Sequence, residues 1–298
     1  MSELLVFGKG WIGSRVADYF KCPISSAKIN TYEDIQKEID TLKPKVLINC
    51  VGHFGKDVDD CEIDKTKTLH TLTTVPLLLA EAAMRNGLKL VHLSSGCIFN
   101  YDYKLNTPLT EDAQPDFHDL FYSRAKVYTE SALISLGDAA NILQLRLRMP
   151  LDCIPHPRNL LDKLLMYKSV IDIENSVTYI PDFLDAMRHL IKTDCQGIYN
   201  VVNFGGLRYR QLLEEYRKHV PTHNYAIMEL SELHLVRTNL LLSTDKLDAA
   251  GFLIRDIHDV LPECIEKYIN YTREHAGQSQ QIKSREVPVS LPNGASPL

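Results

Sequence analysis

The chain has no C-x-x-C pair, no run of basic residues and no long apolar stretch, and each absence removes a class of function. Its seven cysteines, at positions 22, 50, 61, 97, 153, 195 and 264, are scattered and odd in number. That is the pattern of reduced thiols, not of a disulfide frame or a zinc site. Histidine offers no metal pair either, since Pro221 lies between His219 and His223 and spoils the helical face they would share. A formal net charge of −5 without basic clusters argues against a nucleic-acid or anionic-membrane surface. No window approaches the apolar length of a membrane span. The opening Met-Ser-Glu before Leu4-Leu5-Val6-Phe7 has no basic n-region, so no signal peptide and a cytoplasmic location are expected. Asn270-Tyr-Thr then reads as a chance glycosylation match. No internal repeat is evident.

What the chain does have is alternation. At 298 residues and 45% apolar it suits one large α/β unit with an appended lobe. Leu4–Phe7, Val46–Val51, Leu90–Leu93 and Ile142–Leu147 are short apolar runs ended by Gly or Ser, or by Arg, and read as buried strands. Helical patterns at Trp11–Phe20, Thr68–Asn86 and Ser123–Leu136 separate them, with a kink or break expected at Pro76. Such alternation predicts a parallel, doubly wound sheet over residues 1–150. Residues 151–276 read mainly as a smaller substrate-binding lobe with some segments returning to the core, and 277–298 as a flexible polar, Pro-rich tail.

Three groups of residues carry chemistry. Gly8-Lys-Gly10-Trp11-Ile12-Gly13 follows the first strand and opens a helix, the setting in which glycines let a pyrophosphate approach a helix N-terminus. No acidic residue marks the end of the second strand. Ser25, Ser26 and Lys28 stand there instead, which favours a ribose 2′-phosphate and hence NADPH, with NADH as the alternative. Tyr122 and Lys126, four apart, share one helical face, and an adjacent ammonium is expected to lower the phenol below its usual range so that it hands a proton to a carbonyl oxygen. Ser95, at a strand end, supplies a second hydrogen bond to that oxygen. Cys97 is either a small buried hydrophobe or a thiol facing substrate, able to act as acid or base beside a ketone. On pattern alone Lys163 is a solvated helix lysine, while Arg146 and Arg148 suit a diphosphate or a structural carboxylate.

These residues resemble the extended short-chain dehydrogenase/reductases, and within them the nucleotide-rhamnose synthases, the bifunctional 3,5-epimerase/4-reductases. The likeness runs from residue 4 to about 270. It rests on Gly10-Trp-Ile-Gly13, Ser95-Gly-Cys97-Ile-Phe-Asn100-Tyr-Asp102, Phe121-Tyr-Ser123, Arg146-Leu-Arg148-Met149-Pro150, and Pro157-Arg-Asn159 followed by Lys163. It implies a Rossmann-type fold, Ser95, Tyr122 and Lys126 as a reductase triad, and Cys97 with Lys163 as an epimerase acid/base pair. It implies cofactor contacts at Gly8, Gly10, Trp11, Ile12, Gly13, Ser26, Lys28, Cys50, Gly52 and Met149, beside Tyr122 and Lys126. Asn100, Arg148 and Asn159 would meet substrate, and no metal is implied. The substrate would be a nucleotide 4-keto-6-deoxy sugar, UDP favoured over dTDP, supplied by a separate 4,6-dehydratase, and the protein a homodimer. The glycine turn is one residue tighter than the family's, and Leu72 stands where an Asn is usual. A simple reductase and a cofactor-binding regulatory subunit are the alternatives, against which the intact Tyr122, Lys126, Cys97 and Lys163 argue.

Overall fold

In the computed structural model, which describes residues 3–52, 58–105, 107–232 and 235–275, the apolar runs become parallel strands of one sheet. The first half of the chain forms β1 (Leu4–Phe7), α1 (Trp11–Phe20), β2 (Ile24–Ser25), α2 (Tyr32–Leu42), β3 (Val46–Asn49), α3 (Asp60–Ile63) and α4 (Lys65–Leu69). α5 (Val75–Asn86), β4 (Lys89–Ser95), α6 (Phe121–Ser135), β5 (Ile142–Leu147) and β6 (Pro150–Leu151) follow. The second half adds α7 (Leu160–Leu165), β7 (Ser169–Ile171), β8 (Thr178–Tyr179), α8 (Ile180–Lys192), β9 (Gly197–Asn200), α9 (Tyr209–Arg217), β10 (Ala226–Met228), α10 (Asp245–Ala249) and α11 (Ile257–Glu274).

The main sheet has the order β2-β1-β3-β4-β5-β9, parallel throughout. Helices cover both faces, which is why its central strands are apolar runs without alternation. Val6, Ile48, Val91 and Leu145 pack toward α1 and α8, while Leu5, Leu47, Leu90 and Ile142 pack toward α2 and α5. α8 and β9 come from beyond residue 150, so the chain returns to this core before leaving it again. The second lobe has its own core of Leu151, Leu160, Leu164, Tyr179, Leu212 and Ile265, with two small parallel pairs, β6 with β8 and β7 with β10. The tail at 277–298 lies outside the described residues.

Pro76 does break its helix, in a specific way. α4 passes into a π-helical turn at His70–Thr74 and on into α5, with Pro76 in its first turn; the carbonyl of Leu72, four residues before the N–H that proline lacks, accepts the Thr129 hydroxyl instead. Among the described residues no helix is long and apolar enough to cross a membrane.

Candidate active site

Chain order reverses between β1 and β3, so their carboxyl ends open the crevice in which such sheets bind ligands. Gly8 has a φ of 102°, and a Cβ on it would lie 2.6 Å from the Cys50 carbonyl carbon and oxygen. A Cβ on Gly13 would lie 1.8 Å from the Gly8 carbonyl oxygen. These two glycines let the turn close onto β3, where the Cys50 N–H donates to the Phe7 carbonyl at 2.8 Å. Gly10 is different, because a Cβ there would meet no atom within 4 Å. It is extended, at φ −76°, and α1 has no side-chain cap. Open approach to an uncapped helix N-terminus suits a pyrophosphate, so the residues present fit a dinucleotide.

The other candidate cofactor contacts lie around the same edge. Ser26 and Lys28 are exposed just past β2, which ends at Ser25 in register with Phe7. Gly52 is exposed beyond β3, and burial pushes the Cys50 thiol up to about 12. Ile12 packs against the core beneath α1. Trp11 stacks on His156 of the second lobe, with centroids 4.9 Å apart and planes 6° from parallel. One turn further, Arg15 pairs with the buried Asp152 at 2.7 Å, so the glycine-turn helix is fastened directly to that lobe.

The reductase candidates converge from β4 and α6. Ser95 is buried at the strand end, accepts the Cys97 N–H at 3.0 Å and hydrogen-bonds the Tyr122 phenol. α6 is held to this loop by Ser123, which donates to the Cys97 carbonyl at 2.7 Å, and to the π-helical turn by Thr129, which donates to the Leu72 carbonyl at 2.7 Å. Glu62 accepts the Phe121 N–H at the start of the helix. Tyr122 and Lys126 are both buried one turn apart. Burial lowers the Lys126 ammonium to about 8, and its Nζ donates to the Leu93 carbonyl at 2.8 Å. The Tyr122 phenol stands above its ordinary value, raised first by burial and next by the Cys97 sulfur, with the Ser95 hydrogen bond pulling the other way. That reverses the expected lowering by Lys126: loss of water around the phenol outweighs the nearby charges. The Leu72 side chain is fully buried against Tyr122, Cys61 and Ala125 and has no polar atom to offer.

Sheet register explains how Cys97 and Arg148 meet. Ser95 pairs with Leu147, and the Gly96 N–H donates to the Leu147 carbonyl at 2.9 Å, so both segments leave the sheet side by side. Cys97 is half-buried, and Arg148 Nη1 donates to its sulfur at 2.8 Å. The same guanidinium donates to Thr238 Oγ1 and Asn175 Oδ1, each at 2.8 Å, and to the Thr238 carbonyl. Arg148 is 1% exposed and lies beneath the thiol. Arg146 takes the structural alternative, pairing with Glu130 at 2.6 Å with both side chains 1% exposed.

On the second lobe the expectations divide. Asn159 is fully buried. Its oxygen accepts the Asp152 N–H at 3.0 Å, and its amide donates to the Asp152 carbonyl at 3.0 Å and to Asp162 at 2.9 Å. With both ends of the amide engaged it braces the 152–162 loop. Lys163 is partly exposed on α7, just beyond that loop. Met149 adopts φ 42° immediately before Pro150, and the Tyr209 hydroxyl meets its sulfur at 3.4 Å. A left-handed conformation at a non-glycine residue costs about 1–2 kcal/mol, which the surrounding packing must offset. Asn100 is exposed beside a cavity of about 370 Å³, its N–H and amide both donating to Asp116. Sequence reasoning missed Asn175 and Thr238, which carry no local motif and reach Arg148 from elsewhere in the chain.

Residues 12–149 match the family described as the RmlD substrate binding domain. A bifunctional dTDP-4-dehydrorhamnose 3,5-epimerase/dTDP-4-dehydrorhamnose reductase from Arabidopsis thaliana is 32% identical over 73% of this chain and 75% of its own length. A trifunctional UDP-glucose 4,6-dehydratase/UDP-4-keto-6-deoxy-D-glucose 3,5-epimerase/UDP-4-keto-L-rhamnose-reductase from the same plant is 30% identical over 77% of this chain but 36% of its own, so the chain spans about a third of that relative. Among solved structures, a UDP-rhamnose synthase from Acanthamoeba polyphaga mimivirus is 28% identical, with a TM-score of 0.81, covering 90% of this chain and 99% of its own.

Proposed function

This chain belongs to the family of nucleotide-rhamnose 3,5-epimerase/4-reductases and dTDP-4-dehydrorhamnose reductases that share the RmlD substrate-binding domain, and on that premise we propose that it converts UDP-4-keto-6-deoxy-D-glucose to UDP-L-rhamnose with NADPH. The observation that carries the reading is the Cys97 thiol, half-exposed beside Ser95 and Tyr122 and held by Arg148. A plain reductase has no use for a second acid/base group at that point.

The ketone at C4 acidifies the protons on C3 and C5. Cys97 and Lys163 remove and return those protons on opposite faces of the sugar. As a C–H bond breaks, its electron pair becomes the new C=C bond and the carbonyl π pair moves onto O4, where the Ser95 and Tyr122 hydroxyls hydrogen-bond the enolate. Because burial holds its proton tightly, Tyr122 stays a neutral donor through this stage. Bound NADPH would supply a hydride for C4, and Tyr122 gives O4 its proton. Gly8, Gly10, Trp11, Ile12 and Gly13 are assigned to the pyrophosphate, Ser26 and Lys28 to a 2′-phosphate, and Cys50, Gly52, Lys126 and Met149 to the nicotinamide half. Asn100 remains a substrate candidate at the rim. The UDP assignment draws on the mimivirus and trifunctional relatives, and a dTDP sugar is the second reading, favoured by the bifunctional plant relative. The substrate is the product of a 4,6-dehydratase, and seven free cysteines are in keeping with a cytoplasmic setting.

The test is incubation with UDP-4-keto-6-deoxyglucose in deuterated water, with and without NADPH. Deuterium at C3 and C5 together with NADPH oxidation is expected, and Cys97→Ala should abolish the exchange while NADPH still binds. Oxidation that starts only after a separate epimerase is added would leave a reductase alone.

A further inference from the structure

We propose that Arg148 is the positioning residue for the epimerase thiol, supplying the fixed positive charge against which Cys97 sheds and regains its proton. The inference rests on the reading of Cys97 as an acid/base group and extends it to a residue with no motif of its own.

The argument begins with two arginines, Arg146 and Arg148, separated by one residue and each 1% exposed. A buried guanidinium is costly unless an anion neutralises it. Arg146 meets that requirement with Glu130, through two hydrogen bonds of 2.6 and 3.0 Å. Arg148 does not. Its hydrogen-bond acceptors among the described residues are Asn175 Oδ1, Thr238 Oγ1, the Thr238 carbonyl and Cys97 Sγ, and its Nε is buried with no partner. The neighbouring phenols of Tyr103, Tyr122 and Tyr209 feel its charge, yet burial raises all three, so they stay neutral. The carboxylate of Glu174, next to Asn175 in the chain, is packed over Gly206, where an added Cβ would lie 2.6 Å from its Oε1. Among the described residues only the sulfur, 2.8 Å away, can carry a negative charge in direct contact with the guanidinium.

That arrangement fits a charge which appears and disappears. When Cys97 takes a proton from carbon, the S–H bond forms, the C–H electron pair becomes the C=C bond as the carbonyl π pair moves to O4, and the sulfur loses its charge. When Cys97 returns the proton, the sulfur regains it. Arg148 keeps its own proton throughout. Asn175 and Thr238 fix the guanidinium plane, so the charge stays directed at the sulfur without moving toward substrate. A merely structural arginine would have been placed, like Arg146, against a carboxylate.

The experiment follows Cys97 alkylation by iodoacetamide, mapped by peptide mass spectrometry across pH, together with C3/C5 deuterium exchange. In Arg148→Met, alkylation at neutral pH is expected to fall about tenfold or more, its pH profile to move to higher pH, and exchange to fall at least in parallel. Arg148→Lys keeps the charge but not the fork and should recover part of both. Thr238→Val leaves the arginine in place with one acceptor fewer and gives a smaller change of the same sign, which keeps the test available should Arg148→Met not fold. An unmoved alkylation profile in folded Arg148→Met, or in both Arg148→Lys and Thr238→Val, overturns the proposal. Because alkylation needs no sugar, a shifted profile without exchange in the wild-type protein would sink the epimerase reading and leave the arginine–thiol pairing standing.

Discussion

Substituting alanine at each of the three turn glycines should have three different consequences, because the turn uses each glycine differently. At Gly8 the left-handed φ of 102° costs an alanine about 1–2 kcal/mol before any contact is counted. Its Cβ would also stand 2.6 Å from the Cys50 backbone, so β1 and β3 must part. At Gly13 the conformation is helical, and alanine would ordinarily stabilise α1 by about 1 kcal/mol. The 1.8 Å approach to the Gly8 carbonyl oxygen reverses that sign, since no flexible side chain can yield. Gly8→Ala and Gly13→Ala should therefore lower the melting temperature. Gly10→Ala should not, as its φ of −76° is open to alanine and nothing lies within 4 Å. The new methyl does stand where a phosphate must approach the N–H groups of α1, so NADPH affinity should fall about 10- to 100-fold, or roughly 1.4–3 kcal/mol. Differential scanning fluorimetry and a fluorescence titration with NADPH read the two effects separately. A Gly10→Ala protein that binds NADPH like wild type, or a Gly13→Ala protein as stable as wild type, would refute the reasoning.

Two further outcomes follow from buried charges. Glu130→Gln leaves Arg146 fully buried without its anion and should cost about 3–5 kcal/mol in urea unfolding, while breaking an exposed pair such as Lys45–Glu3 the same way should leave the unfolding curve almost unmoved. Burial lowers Lys126 from 10.5 to about 8, so between those pH values the unfolded chain holds a proton that the folded chain has released. That contribution makes stability rise with pH from about 8 toward 10.5, with the full cost present below 8. The difference in stability between Lys126→Met and wild type should accordingly shrink as pH rises through this window, and a difference independent of pH would contradict it.

The sheet was legible because its central strands are covered on both faces, so Leu4–Phe7, Val46–Asn49 and Ile142–Leu147 appear as unbroken apolar runs. β2 was not, since two residues at a sheet edge leave no periodicity to read. The break at Pro76 was expected, but its form was not. A π-helical turn depends on how the preceding carbonyls find partners, and Thr129 on α6, far along the chain, supplies one of them at Leu72.

Within the site, the residues that spacing could reach were those on single elements: the glycine turn, Ser95 with Cys97, and Tyr122 with Lys126. Their electrostatics were not reachable in the same way. Four-residue spacing puts Lys126 on the face of Tyr122, but it says nothing of the Leu93 carbonyl that engages the ammonium or of the burial that raises the phenol. Asn159 differs in kind: the amide partners it finds in space, Asp152 and Asp162, could not be read from its place in the chain. The two arginines make the limit plain. Arg146 and Arg148 are the same residue type with the same burial on adjacent same-face positions of one strand end, and only the partner brought from elsewhere, Glu130 from α6 or Cys97 from the loop after β4, separates a structural ion pair from a charge kept beside a thiol.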